Sequence, residues 1–228
     1  MSPSPEEELR AYVSVYLREE IRAEGIIRRL PPFTRFLRVA ALSSGQLLNY
    51  AQIASDAEVP ASTVREYFSV LEDTLVGWTL EPWRESRTRK AIQTAKFYVF
   101  DPGVMHELAG TMALDRNSDL YGRSFEHFIG MELKAYISYT RKRDALTFWR
   151  STHGQEVDFL VPGRAGIEVK ATRKASLRDA RGLLALADEK IATRLFLVSH
   201  DPVAARRGGI EFLPWATFLK RLWAGDIV

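Results

Sequence analysis

The fold of this chain is decided by two short segments, Glu156-Val157-Asp158-Phe159-Leu160-Val161 and Ile167-Glu168-Val169-Lys170, which a short loop separates. In each segment apolar residues alternate with polar ones at a period of two, a pattern that predicts a β-strand. Glu168 and Lys170 share the polar face of the second strand. On the first strand Asp158 should face away from the apolar side chains, which are Val157, Phe159 and Val161. If the strands pair, we expect Asp158, Glu168 and Lys170 to converge on one side of a sheet.

Two carboxylates and one ammonium group in a small space suit metal-assisted phosphodiester cleavage. Asp158 and Glu168 would hold Mg²⁺ or Mn²⁺, which polarises the phosphate and helps to generate hydroxide, while Lys170 neutralises developing charge. Such a pattern also arises by chance, and charges on a strand usually do no more than solvate one face. The pattern therefore gains weight only from the segments around it.

A helix is predicted just before these strands, from about Leu120 to Tyr139, because apolar residues recur there at a spacing of three and four. Glu126 follows the opening Gly122-Arg123-Ser124-Phe125 and lies at the edge of the apolar stripe. Glu132 falls near the centre of that stripe, so we expect it to be paired. Its partner is either a structural hydrogen-bond donor or one of two basic residues, Lys170 and Arg150.

The motif resembles that of the PD-(D/E)xK nucleases. Asp158 is followed, after nine intervening positions, by Glu168-Val169-Lys170, although the Pro before the Asp is absent. The resemblance implies that Asp158, Glu168 and Lys170 are catalytic. In this superfamily, and in archaeal Holliday junction resolvases, a Glu on the first helix supplies a further acidic ligand. Glu126 resembles that residue, so the implied ligands of Mg²⁺ or Mn²⁺ are Glu126, Asp158 and Glu168.

Composition excludes several other classes of protein. The chain has 228 residues, of which 46% are hydrophobic and 27% are charged, values that are ordinary for a soluble globular protein. It has no cysteine, which excludes disulfides, zinc–thiolate sites and thiol catalysis. No apolar run is long enough to span a bilayer, so we expect a cytoplasmic protein without a membrane partner. The net charge of +3 permits nucleic-acid binding without requiring it.

A polar run, Asp115-Arg116-Asn117-Ser118-Asp119, predicts a boundary between two domains. Residues 1–114 are predicted to form a helical and winged helix-turn-helix domain. Residues 119–228 are predicted to form a PD-(D/E)xK nuclease-like α/β sandwich, so the fold class is α/β, or α+β for the chain as a whole. In the second domain we also expect a helix from Ser176 to Leu186, capped by Ser176, and a last helix after Pro214.

The first domain should open with a charged helix from Glu6 to about Glu24. Asn49 is expected to cap a short helix, Ser62 or Thr63 to cap the helix from Ala61, and a strand to follow through Leu80. This order is typical of a winged helix. The helix from Ala61 is rich in acidic residues, so the better candidates for phosphate contacts lie on the predicted wing: Arg84, Arg87, Arg89 and Lys90.

Arg150 is another candidate contact to nucleic acid. Strand parity could instead place it opposite Glu156 in a cross-strand ion pair, and the sequence leaves both possibilities open.

Several motifs in order extend the resemblance to nearly the whole chain. They are Tyr16 to Ile21, Lys96 to Gly103, Gly122 to Glu126, Phe148 to Arg150 and the two motif strands. Together they resemble the C-terminal region of a family of archaeal and bacterial AAA-type ATPases, domain of unknown function 4143. The resemblance implies an ATPase module or partner. This chain contains no Gly-x-x-x-x-Gly-Lys-[Ser/Thr] motif, so no ATP site of that type is expected. We expect a fragment of a longer protein or a shortened relative.

Two functions remain at this level. The first is a metal-dependent nuclease-like domain acting on nucleic acid, with DNA as the expected form. The second is a non-catalytic module that binds nucleic acid or protein and serves an ATPase partner, in which Glu168 and Lys170 form only an ion pair. Binding of a divalent ion distinguishes the two.

Overall fold

The computed structural model describes residues 4–16, 30–85, 93–111 and 114–228. The protein is mixed α/β and divides into two compact units. The first unit comprises Met1–Thr79 and Lys96–Leu114, and the second comprises Leu80–Ala95 and Asp115–Val228.

The first unit is mainly helical. Its elements are α1 (Pro5–Ala11), a π-helical turn (Tyr12–Tyr16), α2 (Leu30–Leu42), α3 (Tyr50–Ala57), α4 (Ala61–Asp73), the start of β1 (Gly77–Pro82), β2 (Lys96–Val99) and α5 (Pro102–Ala109). Strands β1 and β2 are neighbours, and Leu47 forms an antiparallel bridge with Lys96 of β2. The rest of the predicted first helix, after Tyr16, lies outside the described residues.

Helix α3 begins where the sequence predicts, because the Asn49 side chain accepts a hydrogen bond from the Gln52 N–H group. Helix α4 differs from the prediction. It follows Pro60, which has no capping side chain, so Ser62 and Thr63 lie inside the first turn and do not cap it. Between the two helices Glu58 adopts the left-handed conformation that lets α3 end. Buried aromatic rings pack α2 against α4, with Phe36 and Phe68 in edge-to-face contact.

The second unit is built on a sheet. Its elements are the end of β1, α6 (Asp119–Tyr139), β3 (Thr147–Arg150), β4 (Glu156–Val161), β5 (Ala165–Lys170), α7 (Arg181–Glu189), β6 (Arg194–Ser199), β7 (Ala205–Arg207), β8 (Ile210–Pro214) and α8 (Trp215–Trp223). Strands β3, β4 and β5 pair antiparallel, β5 pairs parallel with β6, and β6 pairs parallel with β8. The end of β1 pairs parallel with β3, and β7 pairs antiparallel with β8.

Helices cover both faces of this sheet. On β6, Phe196 contacts Phe218 of α8, whereas the next residue, Leu197, packs in the cluster that includes Leu183 of α7. Because successive residues of a strand point to opposite faces, α7 and α8 cover opposite faces. Helix α7 starts at Arg181, later than predicted. The Ser176 N–H and hydroxyl groups instead both donate to Asp179, which closes a local turn.

The longest helix, α6, spans 21 residues and is capped by Ser118. No helix of the described ranges is both long enough and apolar enough to cross a membrane. Helix α6 approaches β4 closely at Gly130. A Cβ atom at this position would lie 2.6 Å from the ring of Phe159, which is fully buried. Gly130 therefore sets the distance between α6 and β4.

Replacing Gly130 with Ala should lower the free energy of unfolding by about 1–3 kcal/mol, since the buried ring has to move. Gly122 in the same helix is the matched control, because a Cβ atom there would meet only the Cβ atom of Ala171, at 4.0 Å. Gly122→Ala should be neutral or stabilising by up to about 1 kcal/mol, as Ala is the better helix former. Urea unfolding of both variants tests the close approach, and equal stabilities would contradict it.

Candidate functional site

Strand β4 carries an irregularity at the motif. Leu160 lies opposite Thr147 and Val157 lies opposite Trp149, so three steps along β4 face two steps along β3. One extra residue is therefore accommodated between Val157 and Leu160, as in a β-bulge. Val157 and Leu160 consequently pack in the same hydrophobic cluster. The strict alternation predicted for this strand is wrong, because the extra residue beside Asp158 changes the face of the sheet to which the following side chains point.

The bulge places Asp158 next to β5. The backbone pairs between β4 and β5 run from Val161–Ala165 to Phe159–Ile167. At the next position the Asp158 carboxylate accepts a hydrogen bond of 2.8 Å from the Val169 N–H group. Asp158 is only 6% exposed, so this side chain replaces water as the partner of a buried backbone donor.

Glu168 and Lys170 form an ion pair, with 2.6 Å between Lys170 Nζ and Glu168 Oε1. The two side chains differ in their access to water, since that of Glu168 is 7% exposed and that of Lys170 is 39% exposed. The other carboxylate oxygen, Glu168 Oε2, is buried and accepts no hydrogen bond within the described structure. A buried acceptor without a partner costs about 1–3 kcal/mol, more if it is charged.

The charges of this cluster perturb each other. Burial raises the pKa of Glu168 to about 7, with smaller contributions from Glu126 and Glu156, although Lys170 opposes the rise. Burial also acts against the charge of Lys170. The carboxylates of Asp158, Glu168 and Glu126 outweigh it, so the pKa of Lys170 is raised above its usual value. Lys170 therefore stays charged, while Glu168 can change its protonation state near neutral pH.

Glu126, predicted from its place on the helix, belongs to this cluster, since its charge acts on both Glu168 and Lys170. Glu156 also acts on Glu168, a role that the sequence analysis did not assign. The position of Glu156 on the predicted polar face, two residues before Asp158, was the available signal. Glu156 lies opposite Arg150, and their side chains form an ion pair of 3.0 Å. The cross-strand pair considered for Arg150 is therefore confirmed.

Glu132 does not pair with Lys170 or Arg150. Its carboxylate accepts a hydrogen bond of 2.7 Å from the Trp223 indole N–H group, which ties α6 to α8. Its role as a structural hydrogen-bonding carboxylate is confirmed. A helical wheel could not identify this donor, because Trp223 lies 91 positions away in the sequence.

The carboxylates are not arranged as a ready-made metal cage. In the part of the chain that the structure describes, no group of three or more His, Cys, Asp or Glu residues is disposed to hold a metal ion.

The nucleic-acid contacts predicted on the wing lie apart from this cluster in the sequence, whereas Arg150 lies at its edge. Arg84 forms an ion pair of 3.0 Å with Glu81 and remains largely exposed. Arg87, Arg89 and Lys90 lie outside the described residues.

The two family matches meet near residue 115, where the longer segment of the second unit begins, although the first match also includes residues 80–95 of that unit. Residues 2–115 match a model described as Domain of unknown function (DUF8612), so the chain belongs to that family. Residues 121–218 match the model described as Domain of unknown function (DUF4143), which confirms the family predicted from the ordered motifs.

Relatives are found in two mycobacteria. The chain is 33% identical over 196 residues to the uncharacterized protein Rv2008c of Mycobacterium tuberculosis and, to the same extent, to the uncharacterized protein Mb2031c of Mycobacterium bovis. Each match covers 82% of this chain but only 42% of the relative, so the chain spans less than half the length of these proteins. No solved structure matches the chain significantly.

Proposed function

We propose that this chain carries a metal-dependent nuclease-like domain that acts on nucleic acid. The observation that carries the proposal is the buried Glu168 carboxylate, which has one oxygen on Lys170 and the other without a hydrogen-bond partner among the described residues. A buried acceptor of this kind, beside Asp158, is suited to a cation that the protein alone does not supply.

The residues fit Mg²⁺ or Mn²⁺. Mg²⁺ in proteins usually keeps several waters and binds through one or two carboxylates, so a full protein cage is not required. Asp158 and Glu168 would hold the ion, while Glu126 on α6 lies close enough for its charge to act on Glu168. When bound, the ion polarises the scissile phosphate and lowers the pKa of an attacking water.

The side chains around that position have separate tasks. Lys170 fixes the Glu168 carboxylate through Oε1 and places a permanent positive charge where the phosphate gains negative charge. Asp158 holds the backbone of β5 through Val169 while its carboxylate stays close to Lys170. The ion pair with Arg150 holds Glu156 at the edge of the cluster.

The first unit supports a second part of the proposal. We infer a winged helix from the order α3, turn, α4, β1 and β2, and such units often bind DNA. Arg84 and the basic residues that follow it, Arg87, Arg89 and Lys90, would then contact phosphates. We include in the proposal the ATPase module or partner that the resemblance of the ordered motifs implies.

Binding of a divalent ion is the first test. Titration calorimetry with Mn²⁺ at pH 8, where Glu168 is ionised, should detect one site, and Glu168→Gln should weaken it at least about tenfold. Proton release should accompany binding at pH 6.5, because the ion displaces a proton from a carboxyl whose pKa is about 7. Heat of binding that Glu168→Gln leaves unchanged would contradict the proposed site.

The ion pair also supports a second function, that of a non-catalytic module which binds nucleic acid or protein beside an ATPase. Lys170 already compensates much of the Glu168 charge at 2.6 Å, so the pair can serve stability alone. Absence of ion binding, together with retained binding of nucleic acid, would favour this second function.

A further inference from the structure

A second feature of the sheet unit lies just beyond Lys170. Residues Ala171 and Thr172 enter an open cleft of about 1130 Å³, whose other walls come from the loop before α6, the first turns of α6, the loop after β6 and the start of α8. This volume slightly exceeds the range of sites for small ligands, about 300–1,000 Å³, and the cleft is open to solvent. Neither Asp158 nor Glu168 lines it, so it is a separate surface that adjoins the candidate site.

Aromatic rings form one wall of this cleft. Phe125 stacks on His200 at 4.2 Å between ring centroids, and the Tyr121 hydroxyl lies 3.2 Å from His200 Nε2. Phe128 and Trp215 meet edge to face at 6.1 Å, and Trp215 remains 39% exposed. These contacts hold the rings in place, and Trp215 is a partly exposed residue in the wall of the cleft.

The charge of the cleft is positive. Arg116 and Arg173 line it, and neither guanidinium forms an ion pair within the described residues. Both act on His200, whose pKa is lowered first by burial and then by these two arginines. No carboxylate is among the lining residues that the structure describes. Nearby Asp201 turns its carboxylate to the Ala175 N–H group and the Ser199 hydroxyl.

We propose that this cleft binds an unpaired nucleotide of a single nucleic-acid strand, with the base against Trp215 and the phosphates at Arg116 and Arg173. Aromatic rings held beside positive charge are the usual combination for single strands, because every base has a face that stacks. An acidic peptide would use the arginines and leave the open indole without a partner. In a duplex the bases are already stacked, so the cleft selects single-stranded segments. The inference rests on the proposed function in one respect: the strand bound in the cleft is assumed to be the strand that continues to the candidate site at Lys170.

The test is anisotropy of a fluorescein-labelled oligothymidine, measured in EDTA so that cleavage cannot interfere. Trp215→Ala should weaken binding about tenfold and leave the dependence on salt unchanged, because it removes stacking alone. Arg173→Ala should also weaken binding, and it should lower the slope against log salt by roughly one. Trp215→Leu, which keeps an apolar side chain, serves as a second variant with the same expected loss.

Arg143→Ala is the matched control, since this exposed arginine follows the far end of α6, which lies roughly 16 Å along the helix from Phe128 of the cleft. It should leave binding within about twofold of the wild type, as one distant charge is largely screened. Competition by an abasic strand, by thymidine monophosphate and by polyglutamate identifies the ligand class, and each should compete poorly. Equal competition by any of the three, or binding that both Trp215 variants retain, would overturn the inference. Binding is measured in EDTA, without the metal ion, so a protein that fails to cleave nucleic acid can still show the expected binding. If the protein cleaves nucleic acid but the Trp215 variants bind as the wild type does, only the inference about the cleft is refuted.

Discussion

Asp158→Asn and Glu168→Gln should each lower Mn²⁺-dependent cleavage of nucleic acid at least ~10³-fold, the loss expected when several kcal/mol of transition-state stabilisation disappear. Each substitution removes the charge of a proposed ligand and keeps its shape. In the Asp158→Asn variant the side-chain amide oxygen can still accept the hydrogen bond from the Val169 N–H group, so the end of β5 should remain in place. An alanine side chain at this position would leave that buried donor without a partner. A loss of cleavage would then not distinguish the loss of a metal ligand from a loss of stability.

Glu132→Gln is the control for both variants. Its amide oxygen can still accept from the Trp223 indole, and this residue is outside the charged cluster. Cleavage should stay within about twofold of the wild type, because removing the charge of Glu132 alters none of the proposed metal ligands. The measurement is the initial rate on labelled single-stranded and duplex DNA, with circular dichroism as the check of folding. Cleavage that survives Asp158→Asn at the wild-type rate would remove Asp158 from the mechanism.

Lys170→Met is expected to have an effect that depends on pH. In the wild type Lys170 opposes the effect of burial on Glu168. Without it, the pKa of Glu168 should rise further, so that this carboxyl is protonated at pH 7. Binding of Mn²⁺ should therefore weaken at pH 7 and recover at pH 9, while cleavage stays low at both values because the charge near the phosphate is gone. Titration calorimetry and cleavage rates at the two pH values separate these effects.

The same variant should lose stability as pH rises. A carboxyl whose pKa is higher in the folded state than in the unfolded state holds extra protons when folded, so the free energy of unfolding falls as pH rises between the two pKa values. For Glu168 that window begins near 4.5 and extends to about 7 in the wild type, and to higher pH in the variant. At pH 8 we expect Lys170→Met to be less stable than the wild type by about 1–3 kcal/mol. This loss is smaller than for a fully buried ion pair, because solvent screens the half-exposed ammonium group of the wild type.

A double variant, Glu168→Gln with Lys170→Met, should remove this pH dependence, because no buried carboxyl then remains to titrate at position 168. Urea unfolding at pH 5 and pH 8 provides the comparison. An equal loss of stability at both pH values in Lys170→Met would show that the side chain acts through packing and not through Glu168.

Local patterns predicted most elements of the fold. The alternation at residues 156–161 and 167–170 predicted β4 and β5, and the apolar spacing before them predicted α6. Asn49 was identified as a cap from its side chain alone. These features depend on neighbours a few positions away, and such neighbours are visible in a sequence. The start of α7 was misplaced because Ser176 bonds to Asp179 and not to a helical backbone.

The composition of the charged cluster was also largely predictable. Asp158, Glu168 and Lys170 share one end of two paired strands, so pairing of the strands brings them together although the bulge breaks the period of two in β4. Glu126 entered through its resemblance to a known nuclease position. The sequence alone thus determined which charged side chains this protein could assemble, along with the absence of cysteine chemistry and of a P-loop.

Tertiary structure decided the environment of those side chains. The hydrogen bond between Glu132 and Trp223 and the cleft that joins Tyr121, Arg173, His200 and Trp215 each unite segments far apart in the chain, and the bulge in β4 appears only when β3 and β4 pair. The raised pKa of Glu168 has the same origin, since it comes from burial by the surrounding sheet and helices. Periodicity fixes which way a side chain points within its own element. Burial, and the identity of a distant partner, exist only once the elements have packed.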